Sequence, residues 1–125
     1  SDLDIPISFN RKEEKDHGEG GDIVGQLPSG NVLIVDDVIS AGTAARESIE
    51  KIKSIGANPK VMLVSLDRQE KGSSEISAKA ELENDFGLTV SSIVNLDLLI
   101  SFVSDAPNFK EFKSDLEEYR SNWGA

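Results

Sequence analysis

One thirteen-residue run, Val32-Leu33-Ile34-Val35-Asp36-Asp37-Val38-Ile39-Ser40-Ala41-Gly42-Thr43-Ala44, constrains this chain more tightly than any other. Four apolar residues lead into two adjacent carboxylates, and a turn of small and hydroxyl-bearing residues follows. A short continuous apolar run of this kind predicts a strand over 31–37 buried on both faces, as in a parallel sheet. Ligands of open α/β sheets bind at the carboxyl ends of the strands, and that is where the two acids arrive. The amides of a small-residue turn, and the positive end of the helix after it, favour an anion. Adjacent strand residues point to opposite faces, so Asp36 and Asp37 can share one ligand if the chain leaves the sheet right after them. Two carboxylates suit the vicinal hydroxyls of a ribose, directly or through Mg²⁺, which prefers oxygen ligands and keeps waters. The plain alternative is a strand that ends in a solvated acidic turn.

The rest of the chain supports such a sheet. Leu3, Ile5, Ile7 and Phe9 alternate and predict a core strand, and Ile23-Val24-Gly25 a short one before a turn at Pro28-Ser29-Gly30. Residues 10–22, with Gly18, Gly20 and Gly21, predict a long mobile loop. A helix is expected over about 43–55, with Ala45, Ile49, Ile52 and Ile55 on one face and Gly56 as its left-handed cap. Val61 to Leu66 predict a strand ending at Asp67-Arg68. A loop from Gln69 to Ser74 leads to a helix near 75–86 carrying Leu82 and Phe86, and Leu88 to Val94 form a further strand. Leu96, Leu99, Ile100 and Val103 suggest a short helix. Phe109, Phe112, Leu116, Tyr119 and Trp123 suggest a last amphipathic one, packed on the sheet or on a partner subunit. The order implies an α/β fold, a mostly parallel twisted sheet flanked by helices with right-handed crossovers. A length of 125 residues suits a single domain, 1–125.

Two further clusters carry chemistry. Asn10-Arg11-Lys12-Glu13-Glu14-Lys15-Asp16-His17-Gly18-Glu19-Gly20-Gly21 mixes bases with acids, and a solvated charged loop would explain it. Its order also allows Arg11, Lys12, Lys15 and His17 to converge on a pyrophosphate, with the glycines permitting closure. A histidine can share a proton with a leaving phosphate. At the end of the next strand, Arg68 offers a planar fork for a carboxylate or a carbonyl edge. A surface ion pair with Asp67 or Glu70 would account for it equally.

Bulk properties narrow the classes. There is no cysteine, so neither a disulfide framework nor thiolate chemistry is available. A net charge of −10 argues against non-specific nucleic-acid binding and anionic membranes. No apolar run approaches a membrane span, and the acidic start Ser1-Asp2-Leu3-Asp4 has no signal-peptide pattern. The expectation is a cytoplasmic protein with no nucleic-acid or membrane partner.

The opening run resembles the 5-phosphoribosyl-1-pyrophosphate (PRPP) motif of type I phosphoribosyltransferases, whose core is Rossmann-like: apolar residues, Asp-Asp, four residues, Gly, any residue, Thr. The run Asn-Arg-Lys-Glu-x-Lys-Asp-His-Gly-Glu-Gly-Gly is similar to the flexible catalytic loop of orotate phosphoribosyltransferases in particular. Leu66-Asp67-Arg68-Gln69-Glu70 resembles that family as well. The resemblance implies that Arg11, Lys12, Lys15 and His17 close over pyrophosphate, in the neighbouring site of a homodimer. It implies that Asp36, Asp37, Val38, Ile39, Ser40, Ala41, Gly42, Thr43 and Ala44 hold the ribose and phosphate of PRPP, and that Thr43 and Arg68 contact orotate. Lys12, Lys15, His17, Asp36 and Asp37 would be the catalytic set. Mg²⁺ would arrive with PRPP, without direct protein ligands.

The implied reaction is Mg²⁺-dependent transfer of ribose 5-phosphate from PRPP to orotate, a step of pyrimidine synthesis giving orotidine 5-monophosphate and pyrophosphate. Family members carry upstream an N-terminal hood and a core strand with a pyrophosphate loop, which this sequence lacks. It therefore resembles a C-terminal portion, truncated at its N-terminus, and weak or absent catalysis is expected of it alone. Two rivals stand beside this reading. One is a non-catalytic folding fragment. The other is a receiver-like signalling domain, since Leu33-Ile34-Val35-Asp36-Asp37 also resembles the start of a response-regulator receiver. Against the latter, Asp67 runs into Arg68-Gln69 and no Lys-Pro follows Val90.

Overall fold

Strand β3 (Asn31–Ile39) sets the frame of the computed structural model, which describes residues 4–10 and 23–125. It pairs in parallel with β4 (Asn58–Asp67), and β4 with β5 (Thr89–Asn95), in the spatial order β3-β4-β5. The parallel α/β sheet expected from the sequence is therefore present. β4 begins earlier than its apolar run suggests. The register slips between Val32 and Leu33, whose partners are Pro59 and Val61. Proline has no N–H to give a ladder and is tolerated at such irregularities.

Helix α1 (Thr43–Ser54) joins β3 to β4, and α2 (Ala78–Phe86) joins β4 to β5. Gly56 takes the left-handed conformation after α1 as its position predicts, with φ of 83°. Helix α2 starts three residues later than the expected 75. The reason is Ser77, whose hydroxyl accepts a hydrogen bond from the Ala80 amide at 3.2 Å and so caps the helix.

Both helices pack on one side of the sheet. Ala45 and Ile49 of α1 and Leu82 of α2 share a core with Met62, Val64 and Val90. Ile34, on the same face, packs against that core. The opposite face is open: Leu33, Val35 and Ile93 are 57%, 70% and 69% exposed. This corrects the expectation of a strand buried on both faces. An unbroken apolar run looks the same whether one layer or two cover it, and among the described residues only one does.

The N-terminal apolar alternation also departs from expectation. Leu3 of the expected core strand over 3–9 lies outside the described residues, and β1 (Ser8–Asn10) forms a separate antiparallel ribbon with β2 (Ile23–Gly25) instead of joining the main sheet. Ile5, Ile7 and Phe9 are exposed. Period-two alternation fits an outlying ribbon as well as a core strand. The ribbon touches the main body through Lys51 of α1, whose Nζ donates to Asn10 Oδ1 at 2.9 Å.

Helix α3 (Leu96–Asp105) follows β5 directly, capped by the Asn95 side chain, which accepts from the Leu98 amide. The single last helix expected from Phe109 onward divides into a 3-10 turn (Pro107–Phe112) and α4 (Lys113–Trp123). Its aromatic stripe is not core among the described residues. Phe109, Phe112 and Trp123 are exposed, and only Leu116 and Tyr119 are half-buried. Phe109 instead meets Phe102 and Phe112, with centroid separations of 5.9 and 6.5 Å. No helix among the described residues is long and apolar enough to cross a membrane.

Candidate functional site

The carboxyl end of β3 runs two residues beyond the paired acids, to Ile39. Asp36 and Asp37 are thus still within the strand, not in a chain already leaving the sheet. They alternate accordingly: Asp36 is half-buried on the helix-covered side and Asp37 is exposed on the open side. Each carboxylate spends one oxygen locally. Asp36 Oδ1 accepts from the Asp37 amide at 2.9 Å, and Asp37 Oδ1 from the Val38 amide at 2.7 Å. The second oxygen of each makes no hydrogen bond among the described residues.

The turn after Ile39 carries the chain from β3 into α1. Gly42 adopts a left-handed φ of 83° and precedes α1 with no side-chain cap on the helix. The first turn of α1 contains no acid. Its leading amides therefore have no capping side-chain acceptor, at the positive end of the helix dipole. Thr43 and Ala44 open this turn and are exposed, whereas Gly42 is buried against Ala78 at the start of α2. Val38, Ile39, Ser40 and Ala41 form the path between the acids and the turn, Ile39 being a core residue.

The end of β4 abuts this turn. The Arg68 amide donates to the Ile39 carbonyl at 3.1 Å, so the third sequence cluster lies beside the first. The Arg68 guanidinium is half-exposed and lies 3.6 Å from Glu70 Oε1. The ion pair read as the plain explanation of Arg68 is present, with Glu70 and not Asp67 as its partner. Asp67 is buried, and its Oδ1 accepts from the Gln69 amide at 2.8 Å. Gln69 is the non-glycine residue with positive φ among those described, at 54°. An open cleft of about 460 Å³ lies alongside, lined in part by Asp67, Gln69, Ser77, Lys79 and Asn95. Neither the paired acids nor Thr43 line it.

Sequence reasoning passed over Glu81. Its carboxylate is buried beneath the loop before α2 and accepts from both the amide and the hydroxyl of Ser73 and of Ser74, at 2.5 to 3.0 Å. The Ser74 hydroxyl, then the Ser73 amide, hold its pKa down at about 2 against burial. Arg46 lies 4.0 Å away and pairs more closely with Asp85, at 2.6 Å. An acid one turn into a helix, preceded by Gly72-Ser73-Ser74, was the available signal.

Arg11, Lys12, Lys15 and His17 lie outside the described residues. No cluster of three or more metal-ligating side chains occurs among the residues described. The two acids suit a cation only through water or through a ligand that brings it, because they face opposite sides of the strand.

No family model matches this chain. The orotate phosphoribosyltransferase of Marinobacter nauticus is 51% identical over 119 residues, which is 95% of this chain and 56% of that protein. That of Escherichia coli is 51% identical over 123 residues, 98% of this chain and 58% of the relative. By sequence and by fold, the chain is similar to a portion of the orotate phosphoribosyltransferases. The crystal structure of the enzyme from Francisella tularensis superposes with a TM-score of 0.73 at 34% identity, covering 98% of this chain and 58% of that one. This chain therefore spans a little over half the length of the relatives it matches. The receiver-like alternative finds no support among these relatives.

Proposed function

We propose that this chain carries the ribose-phosphate and base-recognition side of an orotate phosphoribosyltransferase. The reaction would join the anomeric carbon of PRPP to a ring nitrogen of orotate and release pyrophosphate. The carrying observation is the continuous path from Asp36 and Asp37 through a left-handed Gly42 to the uncapped first turn of α1, with Arg68 tied to Ile39 beside it. In this reading the spare oxygens of Asp36 and Asp37 take the ribose hydroxyls. The uncapped amides of Thr43 and its neighbours take the terminal phosphate. Arg68, a planar donor, faces the acidic base, with Thr43 close to both.

Charge develops on pyrophosphate as the glycosidic bond breaks, and donors fixed around that charge lower the barrier. The reading assigns that task to Arg11, Lys12, Lys15 and His17, on a loop of residues 10–22 lent to the neighbouring site of a homodimer. Mg²⁺, when bound with PRPP, supplies further charge neutralisation. The separation of Asp36 from Asp37 supports contacts through water and argues against a protein-built cage. We further propose that the isolated chain turns over weakly or not at all. Its open sheet face and the fraction of the relatives' length it spans support this.

Calorimetric titration tests the binding half directly. PRPP with Mg²⁺ is expected to bind the chain, and Asp36→Asn with Asp37→Asn to weaken it at least tenfold, about 1.4 kcal/mol. Equal affinity in the wild type and the double variant would overturn the assignment of the acids. The reaction itself is read from pyrophosphate release that depends on orotate.

A further inference from the structure

The segment after β4 is held from the C-terminal end of the chain. The Lys71 amide donates to the Trp123 carbonyl, and the Ala125 amide to the Gln69 carbonyl, both at 3.0 Å. Side chains repeat the contact. Gln69 Nε2 donates to Asp97 Oδ2 at 2.9 Å while the Asp97 amide returns a bond to Gln69 Oε1 at 2.8 Å. Arg120 of α4 pairs with the same Asp97. These contacts define the path of the backbone that leaves Arg68.

The guanidinium is fixed by a second route. The Tyr119 hydroxyl donates to Glu70 Oε1, the oxygen that also faces Arg68 Nη1. Glu70 is largely covered, with 13% of its side chain exposed, so it cannot trade this phenol for water at no cost. Desolvation first, and then the Glu70 carboxylate, push the Tyr119 phenol up, against the opposing pull of Arg68. The phenol thus stays a donor, anchored on α4, and the carboxylate it holds in turn holds the arginine.

We propose that Tyr119 and Glu70 are positioning residues that orient the guanidinium of Arg68, so that the C-terminal helix aims the group that meets the planar, acidic base. The proposal deepens the functional reading above and rests on it for the identity of that base. The orientation of Arg68 itself does not depend on it. Nothing in the aromatic spacing of α4 distinguished Tyr119 from its neighbours, because its partner lies 49 residues away in the chain.

The test uses Tyr119→Phe and Glu70→Gln, each close in shape to the original, with Arg68→Lys to assign the arginine signal. The order of the Arg68 side chain is followed by the ¹⁵N relaxation of its Nε–H group. Both variants are expected to make that group mobile while the chain stays folded, the thermal midpoint falling by no more than the loss of one hydrogen bond implies. A double variant is expected to be no worse than either single one. In the same samples, orotate affinity should fall about threefold to tenfold, the scale of one net hydrogen bond, with PRPP affinity changed less than twofold. An Arg68 group as rigid in Tyr119→Phe and Glu70→Gln as in wild type would overturn the proposal. Should Arg68 loosen in the variants while wild type fails to bind orotate, the positioning role stands and the choice of orotate falls.

Discussion

Replacing Gly42 by alanine separates two physical effects at the turn on which the proposed phosphate site depends. The residue's φ of 83° lies in the left-handed region, where a side chain costs about 1–2 kcal/mol. The new Cβ would also stand 3.2 Å from the Ala78 Cβ, tighter than ordinary contact, so α2 or the turn must yield by a few tenths of an ångström. Strain and crowding together amount to about 2 kcal/mol. For a chain of this size that lowers the thermal midpoint by about 6–12 °C. Gly30 is the internal control: its φ is 64° and nothing lies within 4 Å of a Cβ built there. Gly30→Ala therefore reports backbone strain alone, and the excess in Gly42→Ala reports contact with α2. In circular-dichroism melts, Gly42→Ala is expected to fall below Gly30→Ala. Adding Ala78→Gly should recover the difference between them but not the strain. A Gly42→Ala protein no less stable than Gly30→Ala would refute the claim that the turn is wedged against α2. PRPP affinity should drop with the same variant, because the amides that would face the phosphate move with the turn.

Other outcomes follow from the core and the caps. Ile49 is fully buried in the layer between α1 and the sheet, so Ile49→Ala should cost about 2–5 kcal/mol in urea unfolding. Ser77→Ala removes the cap of α2 and should cost about 1 kcal/mol, with the loss confined to hydrogen-exchange protection around Ala80 if α2 frays locally. Glu81 gives a pH signature. Its carboxyl is held at about 2 in the folded chain against an ordinary 4.5, so its contribution is present above about pH 4.5 and is lost as pH falls towards 2. The urea midpoints of wild type and Glu81→Gln should therefore converge over that window, and a constant gap would contradict the Ser73–Ser74 cage.

What could be read from the sequence was whatever local pattern determines. The strands around Val32 and Val61, the start of α1 at Thr43 and its glycine stop at Gly56 follow from hydrophobic runs and backbone preference, and they stand where expected. The misplaced features are those decided by distant partners. Whether Val35 is covered depends on which side α1 and α2 take. Whether Ile7 lies in the core depends on a pairing with β2 that the alternation of β1 does not encode. At the site, the position of Arg68 could be inferred from a strand end and Glu70 named as one of two partners, but the groups that hold Glu70 and the following backbone could not. Glu70, Tyr119 and Asp97 come together through tertiary contact across the C-terminal half.

These contacts also bear on how an acidic chain could host an anion. A net charge of −10 sets a repulsive far field, yet salt screens it over about 10 Å at 0.1 M, so groups near the site decide. Most acids near the ends of β3 and β4 are already engaged. Glu81 is enclosed by serine donors, Glu70 faces Arg68 and Tyr119, and Asp97 is held by Arg120 and Gln69. The first turn of α1 carries no acid of its own. Asp36 and Asp37, like Asp67 at the end of β4, keep an oxygen with no hydrogen bond among the described residues, and the pair lies just ahead of an uncapped helix start. That is the arrangement expected of a site that must offer acceptors to a sugar and donors to a phosphate within one turn of chain. Raising salt should accordingly weaken a ribose phosphate more than a neutral ribose, because only the phosphate depends on the helix-terminal field. Equal salt dependence of the two ligands would mean that the phosphate is held elsewhere.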